Sequence, residues 1–225
     1  MKYSRRIVAL LLAMLSLACA GLAEGHDYHS LCQQRGLQGQ DVIAWLEIPG
    51  ASILEPVMMH QEDDAYYAKH GPDGEVNAYG SLYVQAAYNA ADFSDPVTLI
   101  YGNSTAEQAP LGMLQQMYSG SFEDCRKIWL HTAQGSREYI VFAAIPYTSI
   151  HILHYYNFRS VRRYNSFFDG VFSTRALAVH LDEDNRPAFG QDRVLILSTG
   201  LRGDPLQRYL VMAREVVEPT GSDNN

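Results

Sequence analysis

The chain has 225 residues, which suits one domain of about 150–200 residues plus a leader better than two full domains. Hydrophobic residues make up 47% and charged residues 19%, which excludes a disordered acidic tail, a collagen-like repeat and a coiled coil. Lys plus Arg total 17 against 25 for Asp plus Glu, and the net charge of −8 argues against nucleic acid as a partner.

The N-terminus has the pattern of an export signal. Lys2, Arg5 and Arg6 precede the apolar run 7–17, and Gly21-Leu22-Ala23 offers small residues to signal peptidase. We therefore predict that residues 1–23 are a signal peptide. The alternative is an uncleaved anchor, because residues 7–23 are nearly apolar but at the short limit for a spanning helix. In both cases the domain is exported, and it contacts the membrane only through the leader, if the leader is uncleaved.

The sequence predicts one domain of many short strands and two helices. Residues 24–40 form a polar segment, and the alternating apolar run 41–50 ends at a Pro-Gly turn, which indicates a strand that opens a domain over 41–217. Helical spacing of apolar residues predicts a helix over 155–172 and a second one over 111–118. Residues 218–225 form a polar tail. Further strands are predicted over 52–58, 80–84, 97–101, 127–132, 138–144, 176–180, 194–198 and 209–215. Many short strands with few helices predict a mostly β barrel or sandwich.

Several common functional motifs are absent from the sequence. There is no Gly-rich phosphate loop, no G-x-S-x-G elbow and no paired C-x-x-C, so no cofactor is predicted. His151-x-x-His154 has no third ligand nearby, so a structural or surface role is favoured and no metal site is predicted. Acidic residues beside Cys125 would raise its thiol pKa, which disfavours a nucleophile paired with His131. Cys32 and Cys125 could form a disulfide, although two separate thiols are favoured.

Three segments, in order, carry the strongest signal: Thr98-Leu-Ile-Tyr-Gly-Asn103, Val194-Leu-Ile-Leu-Ser-Thr-Gly200 and Arg208-Tyr-Leu-Val-Met-Ala-Arg214. They resemble the class B sortases of Gram-positive surfaces, in which one strand ends in Tyr-Gly-His, another in Leu-Ser-Thr-Cys, and the next begins with the catalytic arginine. The resemblance covers roughly residues 41–216. It extends to Ala44-Trp-Leu-Glu-Ile-Pro-Gly-Ala-Ser-Ile53, Glu55-Pro-Val57, Tyr66-Tyr67 with His70, Gly80-Ser-Leu-Tyr83, and Gly112-x-Leu114 with Tyr118.

The resemblance implies an eight-stranded β-barrel with flanking helices and a catalytic site that has lost its reacting groups. Asn103 stands at the histidine position and Gly200 at the cysteine position, and only Arg208 is retained. In the family, the cysteine thiolate attacks a sorting-signal peptide, the histidine protonates the leaving amine and the arginine stabilises the oxyanion. Glycine cannot form an acyl-enzyme, and asparagine exchanges no proton near neutral pH. The chain is therefore predicted to be inactive as a transpeptidase.

The remaining groove is predicted to bind a sorting-signal peptide or a cell-surface or pilus protein through Ser198, Thr199 and Arg208. Strand alternation places Ser198 on the face of Gly200 and directs Thr199 away from it. Two alternatives stay open: an enzyme that uses Ser198 or Cys125 as nucleophile, and a structural surface subunit. A purely structural interpretation also stays open, in which Gly200 ends a strand, Asn103 begins a turn and Arg208 is a surface ion-pair partner, with no function at the groove.

Overall fold

The computed structural model describes residues 26–112, 114–119, 123–177 and 179–217. The predicted signal peptide 1–23, with Cys19, and the predicted tail 218–225 lie outside these residues. The described strands are β1 (Val42–Ile48), β2 (Ile53–Met58), β3 (Leu82–Tyr83), β4 (Val97–Tyr101), β5 (Lys127–Thr132), β6 (Gly135–Thr148), β7 (His180–Leu181), β8 (Val194–Leu201) and β9 (Asp204–Glu215). The described α-helices are α1 (Tyr28–Gln34), α2 (Leu114–Ser119), α3 (Ile152–Tyr155) and α4 (Val161–Phe172). Short 3-10 helices span Pro49–Ala51, Tyr66–Ala68, Glu123–Cys125 and Glu183–Asn185.

Eight of these strands close into a barrel. The pairing order is β5-β1-β2-β3-β4-β8-β9-β6, and a further pairing of β5 with β6 closes the ring, while β7 pairs with β6 outside it. The pairs β2–β3 and β4–β8 are parallel, and the other pairs are antiparallel. The predicted mostly β fold and its eight-stranded barrel are therefore confirmed.

The strands β4 and β8 are buried on both faces. In β8, Leu195 and Leu197 pack in the barrel interior, whereas Val194 and Ile196 face an outer cluster with the aromatic residues of α4. A strand covered on both faces needs no polar alternation, which explains the unbroken apolar run of β8. These two strands are the rigid support of the site described below.

The helix α4 covers the outer cluster and begins later than predicted. Its buried side chains follow helical spacing: Tyr164, Phe167, Phe168, Val171 and Phe172. The predicted helix 155–172 is present as α4, and the separate short helix α3 shares only Tyr155 with the predicted range. The Asn157 Oδ1 accepts a hydrogen bond from Arg159 N (3.0 Å) and stabilises a turn between the two helices.

The helix α1 lies within residues 24–40, which were predicted only to be a polar segment. Asp27 caps it by accepting a hydrogen bond from Ser30 N (2.9 Å). Leu31 and Cys32 are buried, and Trp45 Nε1 donates a hydrogen bond to the Cys32 Sγ (3.3 Å). The packed unit therefore begins before residue 41. None of the helices in the described ranges is long and apolar enough to span a bilayer.

Candidate functional site

The carboxyl ends of β4 and β8 lie side by side. Tyr101 is paired with Ser198 in the parallel ladder, and Gly102 N donates a hydrogen bond to the Ser198 carbonyl oxygen (3.1 Å). In the antiparallel ladder of β8 with β9, Gly200 is opposite Arg208. A register shift follows directly, because the next pair, Leu201 with Asp204, skips three residues of β9. This bulge sets which β9 residue reaches the end of β8.

A cavity of about 270 Å³ opens at these strand ends, and we call it the β4–β8 cavity. Four of the five predicted site residues line it, namely Asn103, Ser198, Gly200 and Arg208. The other lining residues are Ala68, Tyr79, Ser81, Tyr83, Tyr101, Gly102, Ser104 and Thr105. Thr199 is fully buried and does not line the cavity, as strand alternation requires. Thr199 is therefore not in a position to touch a ligand in this cavity, although it was predicted to bind substrate.

Gly200 lies in open space. Its φ is outside the left-handed region, and a β-carbon at this position would meet no atom within 4 Å. Neither backbone conformation nor packing therefore requires glycine here. Gly200 is also an internal residue of β8 rather than the residue that ends it.

Asn103 forms a turn directly after β4. Its Oδ1 accepts hydrogen bonds from both Thr105 N and Thr105 Oγ1, each 2.7 Å long. Its own carbonyl oxygen accepts a hydrogen bond from Leu111 N (2.8 Å). Asparagine commonly stabilises turns through such side-chain to backbone bonds. The predicted turn at this position is therefore present, and it uses the side-chain oxygen of Asn103.

Arg208 is an exposed cation on the cavity wall. No carboxylate among the described residues lies within ion-pair distance of its guanidinium, so the interpretation of Arg208 as an ion-pair partner has no support there. Burial raises the pKa of Tyr83 and of Tyr101, and the charge of Arg208 acts in the opposite direction on both. The charge of Asp64 also raises the pKa of both phenols, which remain neutral at physiological pH, and Arg208 is the charged side chain of the described cavity lining.

Sequence reasoning did not assign the aromatic wall of the cavity. Tyr83 and Tyr101 are opposite each other on β3 and β4, and their rings stack with centroids 5.3 Å apart. Sequence reasoning also missed Ser104, whose Oγ donates a hydrogen bond to the Gly200 carbonyl oxygen (3.1 Å). Both features depend on strand pairings between distant segments, which no local pattern reveals.

The described cavity lining offers no general base. It contains no histidine, carboxylate, lysine or cysteine. Ser198 lines the cavity, but activation of a hydroxyl requires a neighbouring base. Cys125 is fully buried in the barrel interior, away from this lining. The arrangement can therefore hold an anionic or aromatic ligand, and its lining contains no partner for nucleophilic catalysis.

The other candidate residues are in structural positions. His151 caps α3, since its Nδ1 accepts a hydrogen bond from His154 N (3.0 Å), and its Nε2 lies 2.9 Å from Gln85 Oε1. Cys32 and Cys125 belong to different buried clusters, and no disulfide joins them. His131 contacts Glu47 and Ser136. None of these residues lines the β4–β8 cavity.

Compared with protein-family models and with curated protein sequences, the chain gives no match. Solved structures do match it. Sortase B of Clostridium perfringens has a TM-score of 0.68 and 18% identity, covering 82% of this chain and 98% of that chain. A class B sortase of Streptococcus pyogenes involved in pilus biogenesis has a TM-score of 0.67 and 21% identity, covering 82% of this chain and 98% of that chain. The Staphylococcus aureus sortase B–substrate complex has a TM-score of 0.68 and 17% identity, covering 96% of this chain and 99% of that chain. The chain therefore has the class B sortase fold.

Proposed function

We propose that this chain is an exported, catalytically inactive protein of class B sortase fold, and that its β4–β8 cavity binds a peptide segment of a cell-surface or pilus protein. One observation carries the proposal. Asn103, Gly200 and Arg208, which occupy the positions that resemble the family's catalytic residues, line a single cavity. Residues 1–23 direct export and are removed, which N-terminal sequencing of the secreted protein would test.

Inactivity follows from the chemistry of the two replaced positions. An acyl-enzyme requires a nucleophilic side chain, and glycine has none. The leaving amine requires a proton donor, and the amide of Asn103 cannot supply one near neutral pH. An oxyanion-binding arginine without the covalent group leaves only a small residual rate over water in well-studied hydrolases. Arg208 alone is therefore insufficient for transpeptidation.

The side chains that line the cavity favour binding over a purely structural role. The guanidinium of Arg208 is exposed beside the stacked rings of Tyr83 and Tyr101. Arginine pairs well with carboxylates and carbonyl oxygens, and aromatic rings provide apolar contact area at low entropic cost. The similar class B sortase of Streptococcus pyogenes is involved in pilus biogenesis. The similar Staphylococcus aureus structure is a sortase B–substrate complex. A surface-protein peptide is accordingly the ligand class that we propose.

The test is a panel of sorting-signal peptides, with binding followed by fluorescence anisotropy and cleavage by mass spectrometry. We expect one or more peptides to bind without cleavage, and Arg208→Ala to weaken that binding at least tenfold. The matched control is Arg202→Ala, which removes an exposed arginine of the β8–β9 turn outside the cavity lining. This control should bind like the wild-type chain.

Three outcomes would contradict the proposal. A covalent acyl adduct in the intact mass would indicate an active enzyme, and its loss in Ser198→Ala or Cys125→Ala would identify the nucleophile. Equal weakening by Arg202→Ala would show that general surface charge, not the cavity, attracts the peptides. Absence of binding across the panel would favour the structural-subunit alternative.

A further inference from the structure

A cluster of two histidines and a glutamate lies on the outer wall of the barrel. Glu47 is on β1 and His131 on the adjacent strand β5. Their chain neighbours Leu46 and Leu130 pack in the barrel interior, so both polar side chains are on the outer face. His26 precedes Asp27, the N-cap of α1, and joins them from outside the sheet. The cluster is separate from the β4–β8 cavity.

The three side chains converge on one point. Glu47 Oε2 lies 3.0 Å from His26 Nδ1 and 2.8 Å from His131 Nε2. One ligand atom of each residue lies within 4.8 Å of the other two. We propose that His26, Glu47 and His131 bind a divalent transition-metal ion of the zinc type, with solvent completing the coordination.

The donor set suits zinc. Imidazole nitrogens and a carboxylate oxygen are common zinc ligands, and three protein ligands with one water form a recurrent tetrahedral arrangement. With metal–ligand distances of about 2.0–2.2 Å, ligand atoms in a tetrahedron are about 3.4 Å apart. The cluster therefore needs only small side-chain movements to accept the ion. The His26 side chain is 42% exposed, which gives the ion a path to the site.

The surroundings of His131 hold its ring in position. Its side chain is only 3% exposed, and its ring is parallel to that of Trp129 on the same strand. The His131 Nδ1 lies 2.7 Å from Ser136 Oγ. When Nδ1 donates its proton to this hydroxyl, the lone pair of Nε2 is available to bind the ion in place of the Nε2 contact with Glu47 Oε2. Metal-binding histidines typically have such a partner on the second ring nitrogen.

A bound ion would attach the start of α1 to the barrel. The helix already has two side-chain links to β1, since Tyr28 Oη donates a hydrogen bond to the Val42 carbonyl oxygen (2.8 Å) and Trp45 donates to Cys32. His26 already lies within hydrogen-bond distance of Glu47 on β1, and a bound ion would extend this link to His131 on β5. Because the ion binds only the folded arrangement, it should raise the melting temperature.

The test is a titration of the full chain, purified without a histidine tag and treated with EDTA, with Zn²⁺ and with Co²⁺. We expect one ion per chain with micromolar or tighter affinity, visible absorption bands of four-coordinate Co²⁺, and a Tm rise of roughly 5–10 °C at a hundredfold excess over Kd. His26→Ala and Glu47→Gln should each weaken binding at least tenfold. The matched control, His29→Ala, removes an exposed histidine three residues further along and should bind like the wild-type chain.

The proposal is overturned if the wild-type chain binds no ion below about 100 µM, since functional sites are far tighter. It is also overturned if His26→Ala and Glu47→Gln bind as tightly as the control. Both variants are at partly exposed positions, and circular dichroism spectra like that of the wild-type chain establish that the loss is local. Peptide binding by the β4–β8 cavity should be unaffected by either substitution, so the two proposals are tested independently.

Discussion

Two glycines of the β4–β8 cavity, Gly102 and Gly200, have opposite surroundings. A β-carbon on Gly102 would lie 2.6 Å from Leu82 Cδ2 and 2.7 Å from Leu111 Cδ1, whereas one on Gly200 would meet no atom within 4 Å. Packing therefore explains the glycine that follows β4, but it does not explain Gly200 within β8. The size of the side chain is therefore limited by packing at Gly102. At Gly200, which resembles the nucleophile position, packing sets no such limit.

The largest expected effect is the difference between two alanine substitutions. Gly102→Ala inserts a methyl group against two fully buried leucines and should lower the free energy of unfolding by about 1–3 kcal/mol. Gly200→Ala should change it by less than about 0.5 kcal/mol. Urea unfolding followed by circular dichroism measures both. Equal destabilisation by the two variants would invalidate the contrast between the two sites.

The turn after β4 should be the next most sensitive feature. Asn103→Ala removes the acceptor of two hydrogen bonds from Thr105 and should cost about 1 kcal/mol, measured in the same unfolding experiment. The control is Asn103→Asp, which keeps an acceptor oxygen and should stay close to the wild-type stability. If Asn103→Ala were neutral, the turn would not explain why asparagine occupies this position.

A smaller effect is expected at the contact between the two cavity walls. Ser104→Ala removes the hydrogen bond from Ser104 Oγ to the Gly200 carbonyl oxygen and should cost about 0.5–1 kcal/mol. Thr105→Val is a useful comparison, since it removes a hydroxyl bonded within its own turn rather than across the cavity. Hydrogen exchange of the β8 end should quicken in Ser104→Ala only. Unchanged exchange in both variants would show that Ser104 does not connect the walls.

The fold was largely predictable because most barrel strands carry local signals. The apolar run of β8 and the alternation of β1 are visible in the sequence, and both strands are where they were predicted. The resemblance added the closed eight-stranded barrel. The helix α1 was missed because its polar residues outnumber Leu31 and Cys32, which become buried only through Trp45 on a separate strand. The tyrosine wall and the cluster at His26 were missed for the same reason, since distant segments meet there.

The smallest expected effect is a trace of restored chemistry in the double variant Asn103→His plus Gly200→Cys. Gly200 has no left-handed φ, and the open space around it can hold a thiol on the cavity side. Arg208 is directly opposite in the ladder. We therefore expect a hydroxylamine-trapped product from a peptide that the cavity binds, detected by mass spectrometry. The rate should be low because the new imidazole also removes the acceptor of the Asn103 turn, and an error of about 1 Å in placement can cost roughly a hundredfold.

The single variant Gly200→Cys is the control that separates access from catalysis. Its new thiol should react with a methanethiosulfonate reagent in the folded chain, while Cys32 and Cys125 stay protected because both are buried. Suppose that the new thiol is labelled and that the double variant binds peptide but yields no product. The thiol is then accessible, and the changed turn at Asn103, rather than the loss of the cysteine, prevents catalysis. If the thiol is not labelled in the folded chain, the open environment of Gly200 is itself wrong, and with it the comparison with Gly102.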